Sequence, residues 1–277
     1  MPKLPLGPLG VTLGRWDWSS SLDAAAELDE LGYTSIWLSG GQLDRLGQMR
    51  ELVRAAPRAL VGNAIIAVDK FPAADVATAY AEIEADRPGR FVVGIGGAHG
   101  ARPLRTLGAY FDALDGATQV VPAERRVLAA LGPRMLTLAR ERAAGALPIV
   151  VPPSYTKEAR AILGTDTSLI VQQCVVLDTD AERAREAGRG TVGFLRGVPG
   201  YVAHFRRLGF TEEEIAGLAD RLVDALVAWG DVDAVTAHVR SHLDAGADQV
   251  AVTVLDTGNG KSVPIETWRE LAGQLRA

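Results

Sequence analysis

Eight short apolar, β-branched segments recur along the chain, and each is followed by a longer Ala-rich stretch with the apolar spacing of a helix. The strand-like segments are 9–13, 35–38, 60–67, 91–95, 126–130, 147–151, 169–176 and 249–255. Helical periodicity falls at 20–31, 43–55, 73–86, 104–114, 133–143, 157–163, 181–188 and 264–275. This alternation predicts repeated βα units on a parallel sheet, and a count of eight selects the α/β class with a (β/α)8 TIM barrel. A doubly wound sheet would carry a glycine-rich phosphate turn after its first strand, where this chain has Gly14-Arg15-Trp16-Asp17. The length of 277 residues suits one barrel, so a single domain over 1–277 is expected. Ser19 to Ser21 with Asp23 would cap the first helix, and Pro133 and Pro264 suit first helical turns. One stretch interrupts the rhythm. Residues 191–229 add about two helices before helix 232–245 and the last strand, and include Tyr201, Phe205 and the acidic cap Thr211-Glu212-Glu213-Glu214. Such a helical insertion forms a lid, an entrance wall or a subunit contact, or simply covers the outside of the barrel.

Composition narrows the function. With 48% hydrophobic and 23% charged residues, the chain can bury a large core without disulfides or metals. Cys174 is the only cysteine, so no disulfide framework or multi-thiolate metal site can form, and a reducing cytoplasm fits. Residues 1–10 lack the form of a signal peptide, and no apolar run reaches membrane-spanning length. The formal charge is −5 and the arginines are interspersed with acids, which argues against nucleic acid and for small-molecule chemistry.

In a parallel barrel the loops after the strands share one face, so candidate site residues lie just beyond the strand ends. These are Arg15, Trp16 and Asp17; Ser39, Gly40 and Gly41; Asp69 and Lys70; Gly96 to His99; Leu131 to Pro133; Pro152 to Lys157; and Asp256 to Lys261. Gly94-Ile95-Gly96-Gly97-Ala98-His99-Gly100 is the most informative, because small residues let the backbone approach a planar ligand. His99 could donate to a developing charge on a cofactor carbonyl or act as an acid or base; the plain alternative is a histidine tied to a loop carbonyl. Leu131-Gly132-Pro133-Arg134 and Pro152-Pro153-Ser154-Tyr155-Thr156-Lys157 each open a helix, whose positive end suits an anionic group, although ordinary capping by Ser154 or Thr156 explains them equally. His238 and His242 are four apart on a helix without partners at metal-like spacing, so no metal site is expected there.

Four segments in order resemble the bacterial luciferase-like superfamily, and within it the F420-dependent oxidoreductases common in actinobacteria. They are Glu30-Leu31-Gly32-Tyr33-Thr34-Ser35-Ile36-Trp37-Leu38, Pro88-Gly89-Arg90-Phe91-Val92-Val93-Gly94-Ile95-Gly96, Ala129-Ala130-Leu131-Gly132-Pro133-Arg134-Met135-Leu136, and 227–248 with Gly230-Asp231 and Ala245-Gly246-Ala247-Asp248. The resemblance implies a cofactor ring in the barrel mouth, backed by a strand-three bulge that often contains a non-prolyl cis peptide. By position that bulge falls at Ala64-Ile65. It further implies that Gly96, Gly97, Ala98 and His99 with Ala130, Leu131, Gly132 and Pro133 line the ring and sugar-phosphate. Trp16 with Ser154, Tyr155, Thr156 and Lys157 would face the tail or substrate. The implied cofactor is coenzyme F420, with FMN as the alternative, the implied assembly a homodimer, and His99 the catalytic group. Two exits depart from the family's pattern. Ser39-Gly40-Gly41 stands where many relatives have an acid, and Val68-Asp69-Lys70 replaces an apolar or aromatic segment. The expectation is therefore hydride transfer between F420 and a small organic substrate. An FMN-dependent monooxygenase and a catalytically silent ligand-binding barrel are the alternatives.

Overall fold

The computed structural model describes residues 2–14, 16–98, 100–198, 200–257 and 263–276. Parallel strands close on themselves as an eight-staved barrel. In chain order the strands are β1 (Leu9–Leu13), β2 (Ser35–Ser39), β3 (Leu60–Ala64), β4 (Ile66–Ala67), β5 (Phe91–Gly96), β6 (Arg126–Leu128), β7 (Gly145–Ala146), β8 (Ser168–Leu177), β9 (Val227–Gly230) and β10 (Gln249–Val254). β3 and β4 are two halves of stave three, β9 is an extra rim strand, and β10 is stave eight, paired with both β8 and β1.

Pairing register tells which side chains point inward, because directly opposed residues of a parallel pair share a face. One inward path runs Thr12, Trp37, Gly62, Val92, then Gly94, Val127, Gly145, Ser168, then Ile170 and Gln249, then Ala251 and Gly10, and so back to Thr12. Four steps of two residues are needed to close it, the stagger of eight characteristic of this barrel. The lower interior is apolar: Trp37, Leu60, Val92, Val127, Ile170 and Ala251 form one buried cluster, plugged from below by Leu4.

Helices cover the outside because their apolar faces have nowhere else to bury. They are α1 (Trp18–Glu30), α2 (Gly47–Ala55), α3 (Ala73–Asp86), α4 (Pro103–Asp115), α5 (Pro133–Arg142) and α6 (Pro153–Leu163). α7 (Ala181–Arg196), α8 (Tyr201–Arg207), α9 (Glu212–Gly217) and α10 (Asp220–Leu226) follow, then α11 (Val232–Asp244) and α12 (Ile265–Arg276). The cap of α1 is Asp17 rather than a serine: its carboxylate accepts from the Ser20 amide at 3.0 Å and from both neighbouring hydroxyls. Those bonds hold its carboxyl at about 2.

Stave six differs from the expected 147–151: the ladder holds Gly145–Ala146, and above it only Ile149 bridges to Gln172. Pro148 has no amide to contribute, Val150 has φ 50°, and the edge of β8 from Cys174 to Leu177 is taken by β9. The insertion also exceeds two helices. α7 runs eight residues beyond the predicted end at Gly188, and three short helices and β9 follow it. Gly188 does not stop the helix. It lets α7 approach α10 and β9, since a Cβ there would meet Val223 at 2.7 Å and Val227 at 3.5 Å.

Candidate active site

The upper tier of the barrel, facing the C-terminal mouth, contrasts with the apolar floor. Alternation along each strand brings Thr12, Gly14, Ser39, Ala64, Gly94, Gly96, Ala129, Gln172 and Thr253 to the inner face at this level. All but Gln172 are small. Gln172 donates to the Thr12 hydroxyl at 2.9 Å, and the Thr253 hydroxyl is buried without a partner among the described residues.

Stave three shapes one side of this tier. Gly62 opposes Val92 and Ile66 opposes Ile95, so three residues, 63–65, stand opposite two, 93–94. That is a bulge. The Ala64–Ile65 peptide within it is cis, at the position the resemblance indicated. Asn63 points outward and its carboxamide replaces the missing ladder bonds, donating to the Gly94 carbonyl and accepting from the Gly94 amide at 3.2 Å. Gly94 permits the approach, because a Cβ there would lie 2.0 Å from the Asn63 carbonyl oxygen.

The two unusual exits pack against this bulge. A Cβ on Gly40 would sit 2.4 Å from the Ile65 carbonyl oxygen, which explains the glycine at this exit. Lys70 donates to the Leu43 carbonyl at 2.7 Å and so ties the stave-three exit to the stave-two exit.

The sequence-predicted residues divide into three groups. Gly96 is buried while Gly97 and Ala98 are half-buried, at the exit of stave four beside the bulge; His99 and Arg15 lie outside the described residues. Ala130 and Leu131 offer their carbonyls to the Tyr155 hydroxyl, at 3.0 and 3.2 Å. Gly132 and Pro133 open α5, and Pro152 and Pro153 open α6; neither helix start is capped by a side chain, so amide donors remain free there.

Within 154–157 the structure separates what proximity in sequence joined. Tyr155 and Thr156 are buried with their hydroxyls engaged, Thr156 with His242 Nδ1 at 2.8 Å. Ser154 and Lys157 are exposed. His242 Nε2 donates in turn to the Gln173 carboxamide oxygen at 2.9 Å, since that oxygen can only accept, so Nδ1 accepts from Thr156. Trp16 stands over Gly14, its ring 3.1 Å from where a Cβ would be, with an edge contact of 5.6 Å to Trp268.

The insertion forms a wall over staves six and seven. Its core joins Phe205, Leu222, Leu226 and Val227 to Val150, Cys174 and Val176 of the barrel rim. His204 meets the Tyr155 ring edge-on at 5.1 Å, and Arg207 reaches the Leu131 carbonyl at 3.4 Å. Missed from sequence were Thr12, Gln172 and Thr253, hidden inside strands, and Gln42, which closes the 3-10 turn Gly40–Gln42 after β2. Cys174 is wholly buried, and burial pushes its thiol up to about 12, so it is packing and not a nucleophile.

No family model and no curated protein matches the sequence. Solved structures do match its fold over nearly the whole chain. The coenzyme F420-dependent tetrahydromethanopterin reductase from Methanopyrus kandleri superposes with TM-score 0.72 at 18% identity, covering 98% of this chain and 99% of that one. An F420-dependent secondary alcohol dehydrogenase in complex with an F420-acetone adduct also gives 0.72, at 15% identity, covering 98% and 100%. The oxygenating constituent of 3,6-diketocamphane monooxygenase from Pseudomonas putida, in complex with FMN, gives 0.62 at 15% identity and 98% of each chain. At these identities the likeness is one of fold, the (β/α)8 barrel over nearly the whole chain.

Proposed function

We propose that this chain is a luciferase-like oxidoreductase that binds coenzyme F420 in the barrel mouth and moves a hydride between the deazaflavin and a small organic substrate. The observation that carries the reading is the upper tier on staves three to five: Ala64, Gly94, Gly96 and Ala129 make a floor of small side chains, with the Ala64–Ile65 bulge at its side. A flat ring that needs hydrogen bonds at its edges fits that floor, whereas a tier of large side chains would fill it. F420 is preferred to FMN because two fold neighbours at TM-score 0.72 are F420-dependent and the FMN-bound one stands at 0.62.

When bound, the deazaflavin supplies the carbon that carries the hydride. The protein's share is orientation and shelter. Ala64, Ile65 and Gly96 to Ala98 back the ring; the uncapped starts of α5 and α6, with Gly132, Ser154 and Lys157, hold the phosphate-bearing portion through amide N–H groups and an ammonium. Below, Trp37, Val92, Val127 and Ile170 close the barrel to water. His99, which follows Ala98 in the chain, is assigned the proton that accompanies the hydride.

Fluorescence titration of the purified chain with F420 and with FMN tests the reading. Saturable binding of F420 in preference to FMN is expected. Preference for FMN would move the chain to the monooxygenases, and binding of neither would leave a silent barrel. For His99→Ala, turnover is expected to drop by about 100-fold while F420 affinity is kept, as for loss of a general acid or base. Unchanged turnover would remove His99 from the mechanism.

A further inference from the structure

We propose that the sector of the mouth formed by the exits of staves eight, one and two is the substrate side, and that Gln42 there selects neutral substrates bearing a hydroxyl or N–H donor. The inference rests on the functional reading above, in which staves three to five back the cofactor ring, its phosphate-bearing portion runs to the starts of α5 and α6, and the insertion walls the rim over staves six and seven.

Gln42 is only 8% exposed, and its Nε2 donates to the Trp16 carbonyl at 3.4 Å. A carbonyl can only accept, which fixes the orientation of the carboxamide and leaves Oε1 as the free end. That oxygen is buried and has no partner among the described residues. A desolvated acceptor left unpaired is destabilising until a donor completes it, so the described residues leave a need of defined chemistry here, a donor to Oε1.

A second observation comes from another stave. Thr253 opposes Cys174 in the ladder and shares its inward face, and its Oγ1 is likewise buried and unpaired. The half-buried Trp16 ring, held edge-on by Trp268, adds an apolar wall. One obligate acceptor, one hydroxyl able to act either way and an indole face complement an apolar molecule with a protic group. A carboxylate would bring its charge against the Gln42 oxygen, and an aprotic carbonyl has nothing to donate to it.

The test uses the whole chain saturated with F420 and two matched probes, benzyl alcohol and benzyl methyl ether, their dissociation constants measured by ligand-observed NMR. Wild type is expected to favour the alcohol by about tenfold, the worth of one net hydrogen bond. Gln42→Leu should bring that ratio close to one without changing F420 affinity. Gln42→Met, which keeps the side-chain length without the acceptor oxygen, should bring the ratio close to one as well, and it serves if Gln42→Leu fails to fold. Equal binding of the two probes by wild type, or an unchanged ratio in a folded variant, overturns the proposal. So does weakened F420 binding in Gln42→Leu, which would assign that oxygen to the cofactor. Failure of wild type to bind F420 at all would instead sink the functional reading and this inference with it.

Discussion

Gly94→Ala is expected to lower the stability of the barrel by about 3 kcal/mol or more, a loss visible as a fall in the urea midpoint or in the yield of folded protein. The new methyl would be placed 2.0 Å from the Asn63 carbonyl oxygen, which is backbone and cannot swing aside as a side-chain tip could. Stave three cannot retreat either, because the Asn63 carboxamide clasps both backbone polar groups of Gly94. Overpacking a tight core commonly costs about 1–3 kcal/mol, and here two buried hydrogen bonds would be strained with it. Damage should reach the site, since Ala64 and Ile65 follow Asn63 directly. Gly108→Ala is the matched control: it lies in α4 with nothing within 4 Å of the added Cβ, so it should be neutral or slightly stabilising. A Gly94→Ala protein within about 0.5 kcal/mol of wild type would refute the clasp as the reason for glycine.

That clasp also marks where the sequence was legible and where it was not. Segment 60–67 reads as one apolar strand, and the family resemblance located the bulge at Ala64–Ile65. The residue that builds it, Asn63, left a signal that could have been used: a wholly buried carboxamide inside an apolar run needs a backbone partner. Stave six was misplaced because 147–151 is the more β-branched segment, while the residues that pair, Gly145 and Ala146, have little strand propensity of their own. Tertiary pairing overrode propensity there. β9 was hidden because it follows α10 without a turn, and its place is set by an edge of β8 some fifty residues upstream.

The candidate site shows the same division. Strand exits were legible, since a parallel barrel puts them on one face whatever their details. The upper tier was not, because whether Thr12, Gln172 or Thr253 faces inward depends on register around the closed barrel, a property of eight segments together. Gln42 looked like an ordinary polar loop residue, and only its burial sets it apart. Tyr155 and Thr156 show the opposite case: their sequence says only that hydroxyls stand at a helix start, and a neighbouring loop and a distant histidine occupy those hydroxyls.

That histidine belongs to a group that should make the protein sensitive to mild acid. Burial depresses the imidazole of His242 to about 3 and that of His204 to about 4, and it lowers His238 as well. In the unfolded chain each titrates near 6.5. Between that value and the folded ones, the unfolded state binds protons that the folded state refuses, so stability is full above about 6.5 and declines as pH falls toward 4. For His204 and His242 the loss by pH 5 is about 2 kcal/mol each, together a large part of the roughly 5–15 kcal/mol that holds a domain folded. Surface carboxylates held by hydrogen bonds, such as Asp17 and Glu214, both at about 2, have stability to lose only at lower pH and cannot mimic this window. The mechanism differs between the two rings. His242 is a neutral bridge from Thr156 to Gln173; a second proton would only turn the Thr156 bond around, so burial is what opposes the charge, with the His238 ring 5.3 Å away adding to it. Among the described residues His204 has no hydrogen bond of good geometry at either nitrogen, so His204→Phe should keep stability at pH 7.5 while removing one share of the acid loss. Urea midpoints at pH 7.5 and 5.0 decide it. A flat profile for wild type would mean that these rings are hydrated, and an equally steep one for His204→Phe would clear that residue of any part in it.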